Sequence, residues 1–315
     1  MLKRLCVALA ILAMACSASA EIVRFNTVLG SFDVQLFADV MPNTVQNFLN
    51  YVNTDRYDGT VVHRNSDTFD SGLGGFRDFV IQGGGFTLHD PNPPSTTITY
   101  SSVTTDPPIN DEPGSGVTGP SNVRGTIAMA KSGPNTVTSQ WFINQGDNSV
   151  LDSPTRPDGG FSAFGMVLGN GMDVVDAIGD LPLPSDFGFS IGAPFNDLPL
   201  RNFSGSSISD IRVANTVTVN SVTQLALAPG DFNRNGVVNS ADLTILRNNY
   251  GMSQGAFFDD GDADMDGDVD GADYLLWQRS FGQPAPPLGA IRSIPEPATA
   301  ILAALGCLFL ATRRR

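Results

Sequence analysis

GTIAMAKSGPNTVTSQWFIN, residues 125–144, holds two short apolar runs, GTIAMA and QWFIN, on either side of a loop bearing Gly, Pro and Asn. Runs this short, bounded by turn formers, read as strands, because a helix would need about ten or more residues with a 3.6-residue period. The same punctuation recurs outward at TVVH (60–63), DFVIQ (78–82) and SAFGMVL (162–168). Nearer the start, EIVRFNT (21–27), a turn at Leu29-Gly30 and SFDVQLF (31–37) make a hairpin with Phe32, Val34 and Leu36 on one face. Two segments are helical instead. Pro42 opens one, with Val45, Phe48, Leu49 and Val52 at i, i+3, i+4 and i+7, and MDVVDAI (172–178) after Gly171 is the other. SISDIRV (207–213) and TVTVNSVTQL (216–225) are expected as closing strands, while residues 83–123 and 180–206 are long Pro/Gly/Ser/Thr-rich connections. Many strands with two helices predict a mainly β domain over residues 21–224, a closed antiparallel barrel capped by the helices.

The net charge of −14 over 315 residues is unevenly placed. Residues 231–273 carry ten acids against two bases, a local excess that points to cation binding rather than to general solubility. No basic patch or zinc-type Cys/His spacing is present, which argues against a nucleic-acid partner. Lys3 and Arg4, the apolar run Leu5 to Ala15 and the small-residue site Ala18-Ser19-Ala20 read as a secretory signal over residues 1–20, too short to span a bilayer. Cys16 leaves a lipoprotein reading open beside it. Cys6 and Cys16 fall in the signal and Cys307 in the tail, so the exported part has no cysteine, and its fold must rest on core burial and bound ions.

After a linker at 225–230 come two acidic loops. Asp231, Asn233, Asn235, Asn239 and Asp242 occupy positions 1, 3, 5, 9 and 12 of an EF-hand-like loop with Gly236 at position 6. Asp262, Asp264, Asp266, Asp270 and Asp273 repeat that spacing around Gly267, thirty-one residues on. Val237 and Asp268 supply the main-chain carbonyl at position 7, so two calcium ions are expected and folding of residues 231–283 should depend on them. Each loop runs into a helix, LTILRNNYG and YLLWQRSFG. A proline-stiffened linker at 284–294 leads to Pro295-Glu296-Pro297, an apolar stretch to Ala311 and three arginines.

VHR (62–64), DFVIQGGGF (78–86), GTIAMAKSGPNTVTSQWFIN (125–144) and GGFSAFGMVLGNGMDVV (159–175) resemble, in order and spacing, the cyclophilins, above all exported bacterial ones. The resemblance spans roughly Ile22 to Gln224 and implies peptidyl-prolyl cis-trans isomerisation of proline-containing polypeptides. Rotation about an X-Pro bond needs no nucleophile, metal or cofactor; it needs an apolar pocket for the ring, a grip on the flanking backbone and a donor for the amide nitrogen as its lone pair is released. By this resemblance Arg64 is that donor, Gln82 orients it, and Phe79, Val80, Phe142, Leu151 and Phe161 line the pocket. Ala130, Lys131 and Ser132 form the edge that pairs with the residues before proline, with Gln140 beside it, and His63 is structural. Three departures stand out. NSDTFDSGLGGFRD (65–78) is an insertion able to reshape or cover the pocket, Val150 stands where eukaryotic members carry the tryptophan associated with cyclosporin, and Phe161 replaces a histidine. The insertion keeps a second reading alive, a non-catalytic surface-attached binding module on the same scaffold.

The duplicated loop-helix resembles a type I dockerin, which implies a cohesin-like partner met through Ser240-Ala241 and Gly271-Ala272; a calcium-stiffened stalk would use the same residues. The tail, 295–315, resembles a PEP-CTERM sorting signal, which implies an exosortase-type processing enzyme and transient membrane contact. A permanent membrane tether is its plainer alternative. The expected location is the periplasm or the cell surface.

Overall fold

A computed structural model of the chain describes residues 21–70, 75–93, 95–112 and 119–283. The signal expected at 1–20, the linker at 284–294 and the tail at 295–315 lie outside the described residues. Among those described, no helix is long and apolar enough to cross a membrane. The chain divides into two compact units, residues 21–227 and 228–283.

In the first unit the runs at 21–27, 31–37, 60–63, 78–82, 125–130, 140–144, 162–168 and 216–225 each overlap a strand. In chain order the elements are β1 (Ile22–Thr27), β2 (Gly30–Leu36), α1 (Pro42–Val52), β3 (Thr60–Val61), β4 (Arg64–Asp70), β5 (Gly75–Gly83), β6 (Phe86–His89), β7 (Thr99–Ser102), β8 (Thr126–Met129), β9 (Trp141–Asn144), β10 (Ala163–Val167), α2 (Gly171–Gly179) and β11 (Thr218–Gln224). The strands form one antiparallel sheet in the order β4-β5-β9-β8-β10-β2-β1-β11-β3-β6-β7. The expected closed barrel is corrected in one respect, since the ladder itself has two ends. The chain runs from β3, third from one end of the ladder and paired with β11, straight into β4, the strand at the other end, paired with β5. At that passage the Val62 N–H donates to Val217 O (2.9 Å) and the His63 N–H to Gln82 O (3.0 Å).

The core is aromatic. Phe25 stacks on Phe32 at 4.8 Å and meets Trp141 edge-on at 5.1 Å, and Phe48 of α1 packs on Phe164 and Tyr57. Val45, Phe48, Leu49 and Val52, the expected apolar stripe of α1, are all buried. Met41 offers no side-chain cap to α1; the first-turn N–H groups of Asn43 and Thr44 donate instead to the Glu112 carboxylate, at 3.1 and 2.7 Å, which the positive end of a helix favours.

Two expectations about the connections are overturned. Residues 83–123 contain β6 and β7, which apolar alternation could not reveal because all four residues of β7 are exposed. Residues 207–213 are not a strand. The Ser206 and Ser207 N–H groups donate to Asp210 Oδ2, both at 3.0 Å, and the segment closes into single turns at Ile208–Asp210 and Val213–Asn215, the local competition that Ser and Asp offer to a ladder.

In the second unit, α3 (Ser240–Asn249) and α4 (Gly271–Ser280) each follow an acidic loop. The two halves share two sets of hydrogen bonds. Position-1 carboxylates accept the glycine N–H at position 6, Gly236 to Asp231 Oδ2 at 2.8 Å and Gly267 to Asp262 Oδ2 at 2.9 Å. Position-12 carboxylates accept the position-9 N–H, Asn239 to Asp242 Oδ2 at 2.9 Å and Asp270 to Asp273 Oδ2 at 2.7 Å, so each also closes a capping box on its helix. Phe232 and Phe258 pack together at 5.5 Å, with Val238, Leu246, Val269 and Trp277 also buried.

Candidate functional site

Antiparallel register puts Arg64 of β4 opposite Gln82 of β5, Gln82 opposite Phe142 of β9, and Phe142 opposite Ala128 of β8. Side chains directly opposite in neighbouring strands share a face and touch, so these four residues form one row, with Arg64, Gln82 and Phe142 its functional members. Arg64 Nη1 donates to Gln82 Oε1 at 3.4 Å, and Gln82 Nε2 donates to Gln140 Oε1 at 2.8 Å. The insertion at 65–78 does not disturb this row. It lengthens the β4–β5 hairpin outward from the Arg64–Gln82 pair to Asp70 opposite Gly75, with one register shift after Ser66.

Beside the row lies a small apolar cluster separate from the main core. Val80, Ala128, Phe142 and Leu151 are buried, with Phe79, Ala130 and Phe161 partly buried around them. Phe161 meets Phe142 edge-on at 5.6 Å, and its N–H donates to Leu151 O at 2.8 Å. All five expected pocket residues thus come together. Asn148, fully buried, donates to Phe79 O (2.7 Å) and to Asn144 Oδ1 (2.9 Å), while Asn122 donates to Phe161 O (2.9 Å) and Asp152 Oδ1 (2.8 Å). These amides fix the pocket wall, and no spacing in the sequence marks them.

The expected substrate edge leaves β8 at Met129. Ala130 N–H donates to Gln140 O at 2.8 Å, and Ser132 N–H turns to Thr136 Oγ1 at 3.2 Å. The Lys131 side chain is only 4% exposed, paired with Asp111 Oδ2 at 2.7 Å and lying over the Phe161 ring at 5.4 Å. Sequence reasoning missed Asp111, which lies twenty residues away in an irregular stretch. It also missed Ser66 and Asp197, which meet Arg64 at Nη2 (3.0 Å) and Nε (3.5 Å). His63 is 2% exposed and packs edge-on against Phe86 at 4.9 Å. Burial lowers its pKa from 6.5 to about 4, so the ring is neutral near pH 7.

The acidic loops bury charge. Asp231, Asp242 and Asp273 are fully buried and Asp262 is 1% exposed, and burial raises Asp262 to about 7. Carboxylate oxygens of Asp262, Asp264 and Asp273 lie within 4.8 Å of one another, as do those of Asp268, Asp270 and Asp273. Asp264 Oδ1 is buried without a hydrogen-bond partner. In the second loop, converging carboxylate oxygens with Asp264 Oδ1 and Asp268 Oδ1 left unsatisfied suit a hard divalent cation.

Residues 22–190 match the family described as cyclophilin type peptidyl-prolyl cis-trans isomerase, and residues 229–282 match the dockerin type I domain. A peptidyl-prolyl cis-trans isomerase of Acinetobacter baylyi is 36% identical over 211 residues, covering 66% of this chain and 98% of that protein. One of Streptomyces antibioticus is 39% identical over 159 residues, 50% of this chain and 81% of that protein. A solved cyclophilin-type isomerase of Cryptosporidium parvum is similar at 20% identity with a TM-score of 0.40, covering 65% of this chain and 98% of that one. The row of Arg64, Gln82 and Phe142 is therefore set in a chain that belongs to the cyclophilin-type peptidyl-prolyl cis-trans isomerase family.

Proposed function

We propose that this peptidyl-prolyl cis-trans isomerase works through Arg64. The observation that carries this reading is the Arg64–Gln82–Gln140 hydrogen-bonded chain at the rim of the Phe79, Phe142, Leu151 and Phe161 cluster. Planar X-Pro amides hold the nitrogen lone pair in resonance, against a rotational barrier of about 18–20 kcal/mol. The proline ring enters the apolar cluster, the backbone before it lies along Ala130, Lys131 and Ser132, and rotation frees the lone pair. A guanidinium N–H donates to that lone pair only in the twisted state, so the contact lowers the barrier rather than deepening a ground state. Buried and neutral, His63 takes no proton. The kcat/KM on an X-Pro peptide tests this. Arg64→Ala should lose roughly 100- to 1000-fold, the scale of one preorganised donor, with unchanged thermal unfolding. A folded Arg64→Ala chain at near-full activity would overturn the assignment.

In the dockerin module, Asp231, Asn233, Asn235, Val237, Asn239 and Asp242 would hold one calcium ion, and Asp262, Asp264, Asp266, Asp268, Asp270 and Asp273 a second. The cations would supply the charge that lets the buried carboxylates stay ionised. The module suits a cohesin-like partner, and its helices leave Tyr274 and Leu275 exposed. Residues 1–20 and 295–315 support export to the periplasm or cell surface, with processing by an exosortase-type enzyme.

A further inference from the structure

Residues 180–217 contain nothing more regular than single helical turns, yet they bury an apolar cluster of their own. Phe195, Leu198, Leu200 and Ile211 pack with Val61 and Leu88 of the sheet. Asp197 is set within that cluster's sequence, between Phe195 at 4% exposure and Leu198 at zero. Its main-chain carbonyl accepts the Asn65 N–H at 2.7 Å, one residue past Arg64. The carboxylate thus rests on a packed support pinned to the strand that carries the arginine, and its Oδ2 lies 3.5 Å from Arg64 Nε.

All three nitrogens of the guanidinium are thereby engaged, Nε by Asp197, Nη1 by Gln82 and Nη2 by Ser66. Each Nη carries a second N–H, and those two remain for a substrate. The Arg64 and Asp197 side chains are 41% and 42% exposed, and an ion pair so open to water adds little to stability. Its value lies in orientation, since without Asp197 the Nε edge of the guanidinium is unheld and the group is fixed only through its two Nη atoms.

Resting on the reading of Arg64 as the donor, we propose that Asp197 is a positioning residue for the isomerase reaction. The aromatic loop at 180–217 is the element that delivers it. Truncating the carboxylate leaves the guanidinium present but less often aimed, which lowers turnover more than binding.

The test is kcat and KM on an X-Pro peptide for the full chain, Asp197→Ala, Asp197→Asn, Arg64→Ala and the double variant Arg64→Ala/Asp197→Ala, with thermal unfolding of each. Asp197→Ala should lower kcat about two- to fivefold, the scale of an exposed ion pair, with KM and the unfolding midpoint unchanged. Asp197→Asn, which keeps a neutral acceptor of the same size, should recover part of the loss. In the Arg64→Ala background the Asp197→Ala effect should vanish, because its target is gone. An equal effect in both backgrounds, or none in either, overturns the proposal alone. Full activity of Arg64→Ala overturns it together with the catalytic reading.

Discussion

Burial holds the His63 imidazole at about 4 when folded against 6.5 when exposed, so the unfolded chain binds the extra proton between those values. A lowered histidine pKa means that its contribution is complete above pH 6.5 and is lost as pH falls towards 4. The shift corresponds to roughly 3 kcal/mol. Urea unfolding from pH 4 to 8, read by Trp141 fluorescence in a Trp277→Phe chain, should show stability rising through that window and then levelling. His63→Gln should remove most of the slope. At Arg64, Lys should rescue little of the activity lost in Arg64→Ala, because an ammonium point charge cannot meet Gln82 and Ser66 while still offering donors to the substrate. Val150, 64% exposed on the single turn Ser149–Asp152, lacks the flat indole and its N–H donor. Cyclosporin should therefore inhibit weakly in an activity titration, and Val150→Trp should strengthen it; nanomolar inhibition of the unmodified chain would contradict the alignment at this position.

The turn joining β5 to β6 passes against Trp141 with no room to spare. At Gly84, φ is +77°, and an added Cβ would lie 2.8 Å from Ser139 O and 2.7 Å from Trp141 Cδ1. Gly188 has a similar φ of +79° but nothing within 4 Å. Gly84→Ala should therefore cost about 1–3 kcal/mol from crowding on top of backbone strain, whereas Gly188→Ala should cost only about 1–2 kcal/mol from strain. Denaturant midpoints of the two variants make the comparison, and equal costs would mean that Trp141 yields. Elements with a period were legible in the sequence: the apolar runs of β5, β8, β9 and β10, the Val45-to-Val52 stripe of α1, and the doubled oxygen spacing of the acidic loops. Arg64, Gln82 and Phe142 were legible through their motifs. The open ladder, the turns at 207–215 and the exposed β7 were not, because side-chain competition and edge position leave no apolar period. Asp197 and Asp111 escaped for another reason: their partners are 133 and twenty residues away, across irregular chain.

At the scale of the molecule, the chain keeps two kinds of stability in separate compact units. Residues 21–227 rest on an aromatic core, while residues 228–283 gather buried carboxylates around a core with few large side chains. Chelation should therefore unwind α3 and α4, seen as a loss of far-ultraviolet helical signal, and leave isomerase turnover unchanged. Asp231→Ala and Asp262→Ala should each weaken calcium binding in one loop, read by calorimetry. A helical signal indifferent to millimolar calcium would contradict the metal reading. The order of the sheet bears on how the protein is made. β1, the first of the described strands in chain order, lies between β2 and β11, the last of them, and Phe25 faces Val222 across that ladder. A nascent chain therefore carries one unpaired edge of β1 until Gln224 has emerged. Any pause before that point exposes a hydrogen-bonding edge beside apolar side chains, a template for pairing with a neighbouring polypeptide. Forms truncated before Gln224 should therefore coalesce into aggregates rather than persist as partly active enzymes.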